Sequence, residues 1–259
     1  MNMRVWLPRY RRIAGLLGLN MEADWEATLR LARLVEGKAV KPLEAAERVS
    51  GRTVFVFGAG PSLEADLERL SKSSLLGRGV PIAADGATSA LLAFKTVPSL
   101  VVSDLDGRIT DLLRAEKLGA LMVVHGHGDN IERLNALLPR FRRVLATTQV
   151  KPVRGLVYNF GGFTDGDRAV FLAEALKARR VVLAGMDLGE TVGRFSKPWL
   201  KKEAKASQTK KVKLEIAREL LGWLAGWAKA EILNLTLKGE DIPGVRRISL
   251  KELRSLLKA

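Results

Sequence analysis

The chain of 259 residues contains no cysteine. That excludes disulfides and thiolate metal sites. Histidine is nearly as scarce, with two residues, so a zinc site built from several imidazoles is excluded as well. No apolar run approaches the roughly 20 residues of a membrane-spanning helix. The basic start MNMRVWLPRYRRIAGLLGLN lacks both the long apolar stretch and the small-residue cleavage site of a secretory leader. Together these absences predict a cytoplasmic protein with no membrane partner. Acids are outnumbered, 28 Asp and Glu against 43 Lys and Arg, for a formal net charge of +15. Such an excess favours an anionic partner: nucleotide phosphates, nucleic acid or an acidic surface. Few aromatics stand among the basic runs, which weighs against a platform for stacking single-stranded nucleic acid. Many Lys, Arg and Glu without Cys also suit a heat-tolerant source.

Trp25, Leu29, Leu31 and Leu34 recur at near-helical spacing. They predict a helix over 22–36, followed by a linker at GKAVKP and a second helix near LEAAERVSG. Residues 1–50 therefore read as a helical N-terminal segment. From Thr53 the rhythm changes. Short β-branched runs (TVFVFGAG, VPIAADG, SLVVSDLDG, ALMVVHGHGDN, RVLATTQ, LVYNFGG, RRVVLAGMDLG) alternate with helix-like stretches. Apolar runs without alternation predict strands buried on both faces. Strand alternating with helix predicts an α/β fold, Rossmann-like, with a mostly parallel central sheet and helices on both faces. A long amphipathic helix is expected over 210–229, then a strand at EILNLTL and a strand-to-helix ending at ISLKELRSLL. The α/β domain is taken to run over 51–259.

In such a sheet, ligands bind outside the carboxyl ends of the strands. Those ends hold most of the unusual residues: Gly58, Gly60, Asp85, Asp104, Asp106, His125, His127, Asp129, Thr148, Gln149, Asn159, Gly162 and Asp187. In FGAGPSL a glycine turn between strand and helix, with Ser62 beyond it, suits either an anion or simply a tight turn. In SDLDG, Asp104 and Asp106 are two residues apart and would point the same way on a continuing strand. Converging carboxylates repel unless a cation or proton lies between them, and Mg²⁺ prefers such oxygen ligands. The alternative is a helix cap at Asp106 beside a surface acid. If repulsion dominates, replacing either aspartate by asparagine leaves thermal stability intact or raises it. Asp85 in ADGATSALL is a third strand-end acid or a helix cap. In HGHGDN, Asp129 is a further oxygen ligand or base and Asn130 a cap for the next helix. Thr164 and Asp167 form a capping-box pattern. Arg194 and Lys197, after GMDLG, are cations that could reach a polyphosphate.

In this order, FGAGPSLE, ADGATSALL, PSLVVSDLDG, VVHGHGDN, TTQ, NFGGFTDGDRAVFLA and GMDLGETVGRFSKP resemble the archaeal 6-hydroxymethyl-7,8-dihydropterin pyrophosphokinase family over about residues 50–240. That family sits in a wider group with glycosyltransferase-like members. A more distant likeness is to thiamin pyrophosphokinase, whose ADG and acidic motifs look like ADG and SDLDG. No counterpart of its C-terminal β-rich thiamin domain is visible. The resemblance implies ATP and a dihydropterin as substrates and Mg²⁺ as cofactor. It implies Asp104, Asp106 and Asp85 as metal ligands, with Asp129, Arg194 and Lys197 joining Asp104 and Asp106 in catalysis. Gly58, Gly60, Ser62, Asp85, Thr148, Gln149, Asn159 and Asp187 are the implied nucleotide or pterin contacts. Nucleotide-sugar transfer and thiamin pyrophosphorylation are the alternatives, and a homo-oligomer is left open.

Overall fold

The computed structural model describes residues 1–258. Three helices come first: α1 (Met3–Leu17), α2 (Met21–Leu34) and α3 (Pro42–Val49). They precede the run β1 (Thr53–Phe57), α4 (Leu63–Lys72), β2 (Val80–Ala84), α5 (Ala87–Ala93), β3 (Leu100–Ser103), α6 (Ile109–Lys117), β4 (Leu121–Gly126), α7 (Ile131–Leu137) and β5 (Val144–Thr148). Then follow β6 (Val157–Tyr158), α8 (Asp165–Ala175), β7 (Arg180–Ala184), β8 (Thr191–Val192), β9 (Ala204–Lys205) and α9 (Gln208–Ala225). The described chain closes with β10 (Glu231–Asn234), β11 (Arg246–Arg247) and α10 (Leu250–Leu256).

Nine strands form one sheet in the order β11-β10-β7-β1-β2-β3-β4-β5-β6, and every pairing in it is parallel. Alternate strand residues serve opposite faces. Val54 and Val56 join a core with α1, α3, α8 and α9, while Phe55 and Phe57 join one with α2, α4, α5, α6, α7 and α10. This division follows from chirality. Steps from β1 towards β5 run one way along the sheet and steps from β6 to β7 and β10 run the other. Right-handed crossovers must therefore put their helices on opposite faces. The direction reverses between β7 and β1, the position beside which ligands bind in open α/β sheets; the two ends stay joined there by Gly58 N to Ala184 O and Gly60 N to Gly185 O.

The first helices belong to this core. Trp6 and Tyr10 are fully buried in the cluster that holds Val54 and Val56, and Ala39 bridges to Val144 in parallel fashion. α1 has no counterpart among the helices expected from sequence. Its buried residues Trp6, Tyr10, Ile13 and Ala14 fall at helical spacing, but the Arg run between them masks the stripe. Asn2 caps it by accepting from Arg4 N, and Gly18 ends it in the left-handed region at φ 65°. α9 begins two residues before the expected start because Ser207 accepts from Lys210 N, and ends early at Gly226. The ISL run is not a strand. Ser249 and Glu252 form a capping box that starts α10, and pairing falls one step earlier, at Arg246–Arg247. The basic loop after Gly189 carries an antiparallel hairpin, β8 with β9. No helix among the described residues is long and apolar enough to cross a membrane.

Candidate active site

A cavity of about 590 Å³ opens at the carboxyl ends of the strands. Its floor follows the sheet order. Gly58 and Gly60 come from the end of β1, with Asp187 beside them after β7. Asp85 follows β2, and Asp104 and Asp106 follow β3. His125 closes β4 and Gln149 follows β5. α2 contributes Asp24, α8 contributes Asp165 and Arg168, and the β8–β9 hairpin with the start of α9 contributes Lys197, Lys210 and Lys213.

Asp104 and Asp106 do converge, but not by strand alternation. β3 ends at Ser103, and Leu105 turns the chain at φ 67°. Asp106 N donates to Asp104 Oδ1 at 3.1 Å, and Leu105 N donates to Ser103 Oγ at 2.8 Å. Ser103 Oγ in turn donates to Asp85. The turn thus draws in the neighbouring strand's acid, and carboxylate oxygens of Asp85, Asp104 and Asp106 lie within 4.8 Å of one another. Neither Asp85 nor Asp106 caps a helix; the caps of α5 and α6 are Gly86 and Arg108.

Asp85 and Asp104 are shifted in opposite directions. Burial, then the charges of Asp106 and Asp104, push Asp85 up to about 7. Burial also acts to raise Asp104, but its hydrogen bond from His127 and the charges of His127, Lys197 and Arg133 prevail and hold it at about 2. His127 Nε2 lies 3.2 Å from Asp104 Oδ2, and Arg133 Nη1 lies 3.9 Å from Asp104 and 4.0 Å from Asp106. Lys197 Nζ pairs with Asp106. An all-oxygen set of three carboxylates, partly balanced by a lysine, fits a hard divalent cation such as Mg²⁺.

A family model described as 6-hydroxymethylpterin diphosphokinase MptE-like matches residues 28–193. A protein of Pyrococcus furiosus named 6-hydroxymethyl-7,8-dihydropterin pyrophosphokinase is 47% identical over 90% of this chain and 98% of its own length. Proteins of the same name from Methanothermobacter thermautotrophicus and Methanocaldococcus jannaschii are 44% and 36% identical, covering 86% and 90% of this chain and 95% and 100% of their own. The chain belongs to the MptE-like 6-hydroxymethylpterin diphosphokinase family. The solved structure of a MAf glycosyltransferase from Magnetospirillum magneticum AMB-1 shares the fold, with a TM-score of 0.52 at 20% identity over 88% of this chain and 41% of that one.

In this member of the family, nine of the thirteen residues given a metal, catalytic or contact role from the resemblance line the cavity: Gly58, Gly60, Asp85, Asp104, Asp106, Asp129, Gln149, Asp187 and Lys197. Four others do not. Ser62 Oγ donates to Asp187 and accepts from Lys238 N, so its hydroxyl braces Asp187. Thr148 bonds Thr28 at 2.6 Å, tying α2 to β5. Asn159 donates to Val150 O and accepts from Gly161 N, closing its own loop. Arg194 pairs through two nitrogens with Glu64 and packs on the Phe195 ring 4.4 Å away. Asp129 stands at the rim, with its side chain 78% exposed. Asn130 does not cap α7 with its side chain; its amide donates to Asp104 O and His125 O, joining the two motifs. Asp24, Asp165, Arg168, Lys210 and Lys213 are cavity residues not found from the sequence, because each lies inside a helical pattern and away from a strand end.

Gly107 has no room for a side chain. A Cβ there would stand 2.6 and 2.7 Å from the two Asp85 carboxylate oxygens. Gly107→Ala must therefore displace Asp85. We expect it to weaken divalent-ion binding at least tenfold by calorimetry while the far-ultraviolet circular dichroism stays that of the parent. Unchanged ion affinity would show that Asp85 does not contribute.

Proposed function

We propose that this chain transfers a pyrophosphoryl group from ATP to the hydroxymethyl oxygen of 6-hydroxymethyl-7,8-dihydropterin, with Mg²⁺ held by Asp85, Asp104 and Asp106. The observation that carries the reading is the meeting of these three acids in the strand-end cavity of a chain whose relatives bear that pyrophosphokinase name. The hydroxymethyl oxygen forms a bond to the β-phosphorus. The bond from that phosphorus to the oxygen bridging the α- and β-phosphates breaks, AMP leaves with that oxygen, and the hydroxyl proton passes to a base. The bound cation supplies neutralisation of the polyphosphate. The protein's share is mostly positioning and charge stabilisation.

Asp104 is kept ionised by His127 and Arg133 and so is ready to accept a cation at any ordinary pH. Asp85 is the reluctant acid, raised to about 7 by burial and by the charges of Asp106 and Asp104, and a cation beside it favours its ionised form. Gly58 and Gly60 line the cavity, and their lack of side chains makes room for Met186 and Asp187 after β7. Lys197, Lys210 and Lys213 face the same space and offer ammonium groups to the charge that develops on the departing phosphate. A cytoplasmic setting belongs to the same proposal. The relatives' names do not favour nucleotide-sugar transfer or thiamin as the reaction, and the likeness to the glycosyltransferase is one of fold.

The test is ATP turnover with a panel of acceptors, read by AMP formation and product mass. One AMP is expected for each pterin diphosphate formed, and chelation of divalent ions is expected to stop both. Absence of AMP with every dihydropterin overturns the reading; full turnover in excess chelator removes the metal from it.

A further inference from the structure

On the β4–β5 side of the acids the cavity floor changes character. It is built from buried side chains of four elements: His125 from β4, Gln149 after β5, Arg168 from α8 and Asp24 from α2, each at most 4% exposed. Most of their polar atoms are committed. Gln149 Nε2 donates to Tyr10 Oη at 2.7 Å, and Tyr10 donates to Asp24. Asp24 Oδ1 accepts from Gly128 N at 2.9 Å, and Arg168 Nη2 donates to Phe163 O at 2.7 Å. Two fully buried atoms among them have no partner: His125 Nε2 and Arg168 Nε. Both residues line the cavity, and a buried polar atom left unpaired is costly enough to call for an explanation.

The tautomer of His125 follows from its neighbour. Thr147 Oγ1 spends its single proton on Val124 O, which can only accept. It must therefore accept from His125 Nδ1, 3.1 Å away. His125 is neutral, since burial and then the charges of Arg168 and His127 lower its pKa well below the usual range. Its Nε2 is then a bare acceptor, whereas Arg168 Nε carries an N–H. One acceptor and one donor are thus left unpaired on residues that line the cavity.

Resting on the pyrophosphokinase reading, we propose that His125 and Arg168 recognise the lactam edge of the pterin. The ring N3–H donates to His125 Nε2, and the C4 carbonyl accepts from Arg168 Nε–H. Spare lone pairs on Asp24 suit the adjacent 2-amino group. One further observation sets the heterocycle here. The β4–β5 floor holds the Asp24 carboxylate, which repels phosphate and attracts an amine. The acids after β2 and β3 border this floor, where the β-phosphorus must meet the hydroxymethyl group.

The experiment uses the full chain and two probes, 6-hydroxymethylpterin and its N3-methyl analogue, with binding read by pterin fluorescence. The parent protein is expected to bind the N3-methyl analogue ten- to a hundredfold more weakly, the cost of one buried hydrogen bond and its unpaired partner. His125→Phe should bind the unmodified pterin as weakly as the parent binds the analogue, and should no longer distinguish the two. Arg168→Met should raise the pterin KM by a similar factor, with the ATP KM changed less than threefold. Equal affinity of the parent for both probes overturns the assignment without needing any variant. So does a raised ATP KM with an unaltered pterin KM, which would place adenine on this floor. If turnover with a dihydropterin is intact in these cases, only the lactam assignment fails. If no pterin binds and no AMP forms, the pyrophosphokinase reading fails with it.

Discussion

Asp85→Asn is expected to raise the melting temperature of the metal-free protein at pH 8 by several degrees while lowering turnover about 10²- to 10³-fold, the usual effect of removing one preorganised electrostatic partner. Asp85 is buried against two other carboxylates, with its pKa pushed up to about 7. The sign follows from linkage. A carboxyl whose folded-state pKa lies above its unfolded value contributes full stability below the unfolded pKa and loses it as pH rises through the folded one. Between about pH 4 and pH 7 the parent therefore gives up roughly 1.4 kcal/mol for each tenfold fall in proton concentration, a few kcal/mol in all. For a domain of this size about 1 kcal/mol corresponds to 2–4 °C. Asparagine copies the protonated carboxyl. Its oxygen accepts from Ser103 Oγ, as Asp85 Oδ1 does, and its amide can donate toward the neighbouring carboxylates. Melts in chelator at pH 5 and pH 8 provide the check. The gain should be large at pH 8 and much smaller at pH 5; a variant less stable than the parent at pH 8 contradicts the argument.

Asp104→Asn is expected to abolish turnover to a similar degree with the opposite effect on stability. Asp104 is held ionised at about 2 by His127, Lys197 and Arg133, against the pull of burial. A depressed carboxyl contributes stability above its unfolded pKa and loses it as pH falls through the folded one. At neutral pH the charge contributes about 2 kcal/mol, and its loss should lower the melting temperature by about 4–8 °C. The amide keeps an acceptor for Asp106 N but leaves His127 and Arg133 facing a neutral group. This differs from the expectation drawn from repulsion alone, which treated the acids as equivalent. The paired variants separate the cases: one inactive protein melts above the parent, the other below it. If both melt higher, His127 and Arg133 do not hold Asp104 as described.

Much of the architecture was legible in the sequence. Seven β-branched runs mark seven strands of the sheet, because a strand covered on both faces must be apolar throughout. A parallel sheet needs a helix between strands. The same regularity put Asp85, Asp104, Asp106 and Asp187 at strand ends, hence on the ligand edge. What stayed hidden has a common cause. Trp6 and Tyr10 sit in an Arg-rich stretch, and Asp24, Asp165 and Arg168 lie within helical patterns where a charged residue reads as solvated surface. Only packing turns those residues inward.

The motifs by themselves determined the fold class, the acidic edge and the family resemblance, because each depends on local chain order. Tertiary structure decided the rest. It ended β3 at Ser103 and used a left-handed Leu105 to gather three acids. It committed Ser62, Thr148, Asn159 and Arg194 to internal bonds. It also gave Asp85 and Asp104 opposite affinities for a proton. A carboxylate's charge state depends on burial and on neighbours distant in the chain, so the same letter in ADG and SDLDG could not reveal it.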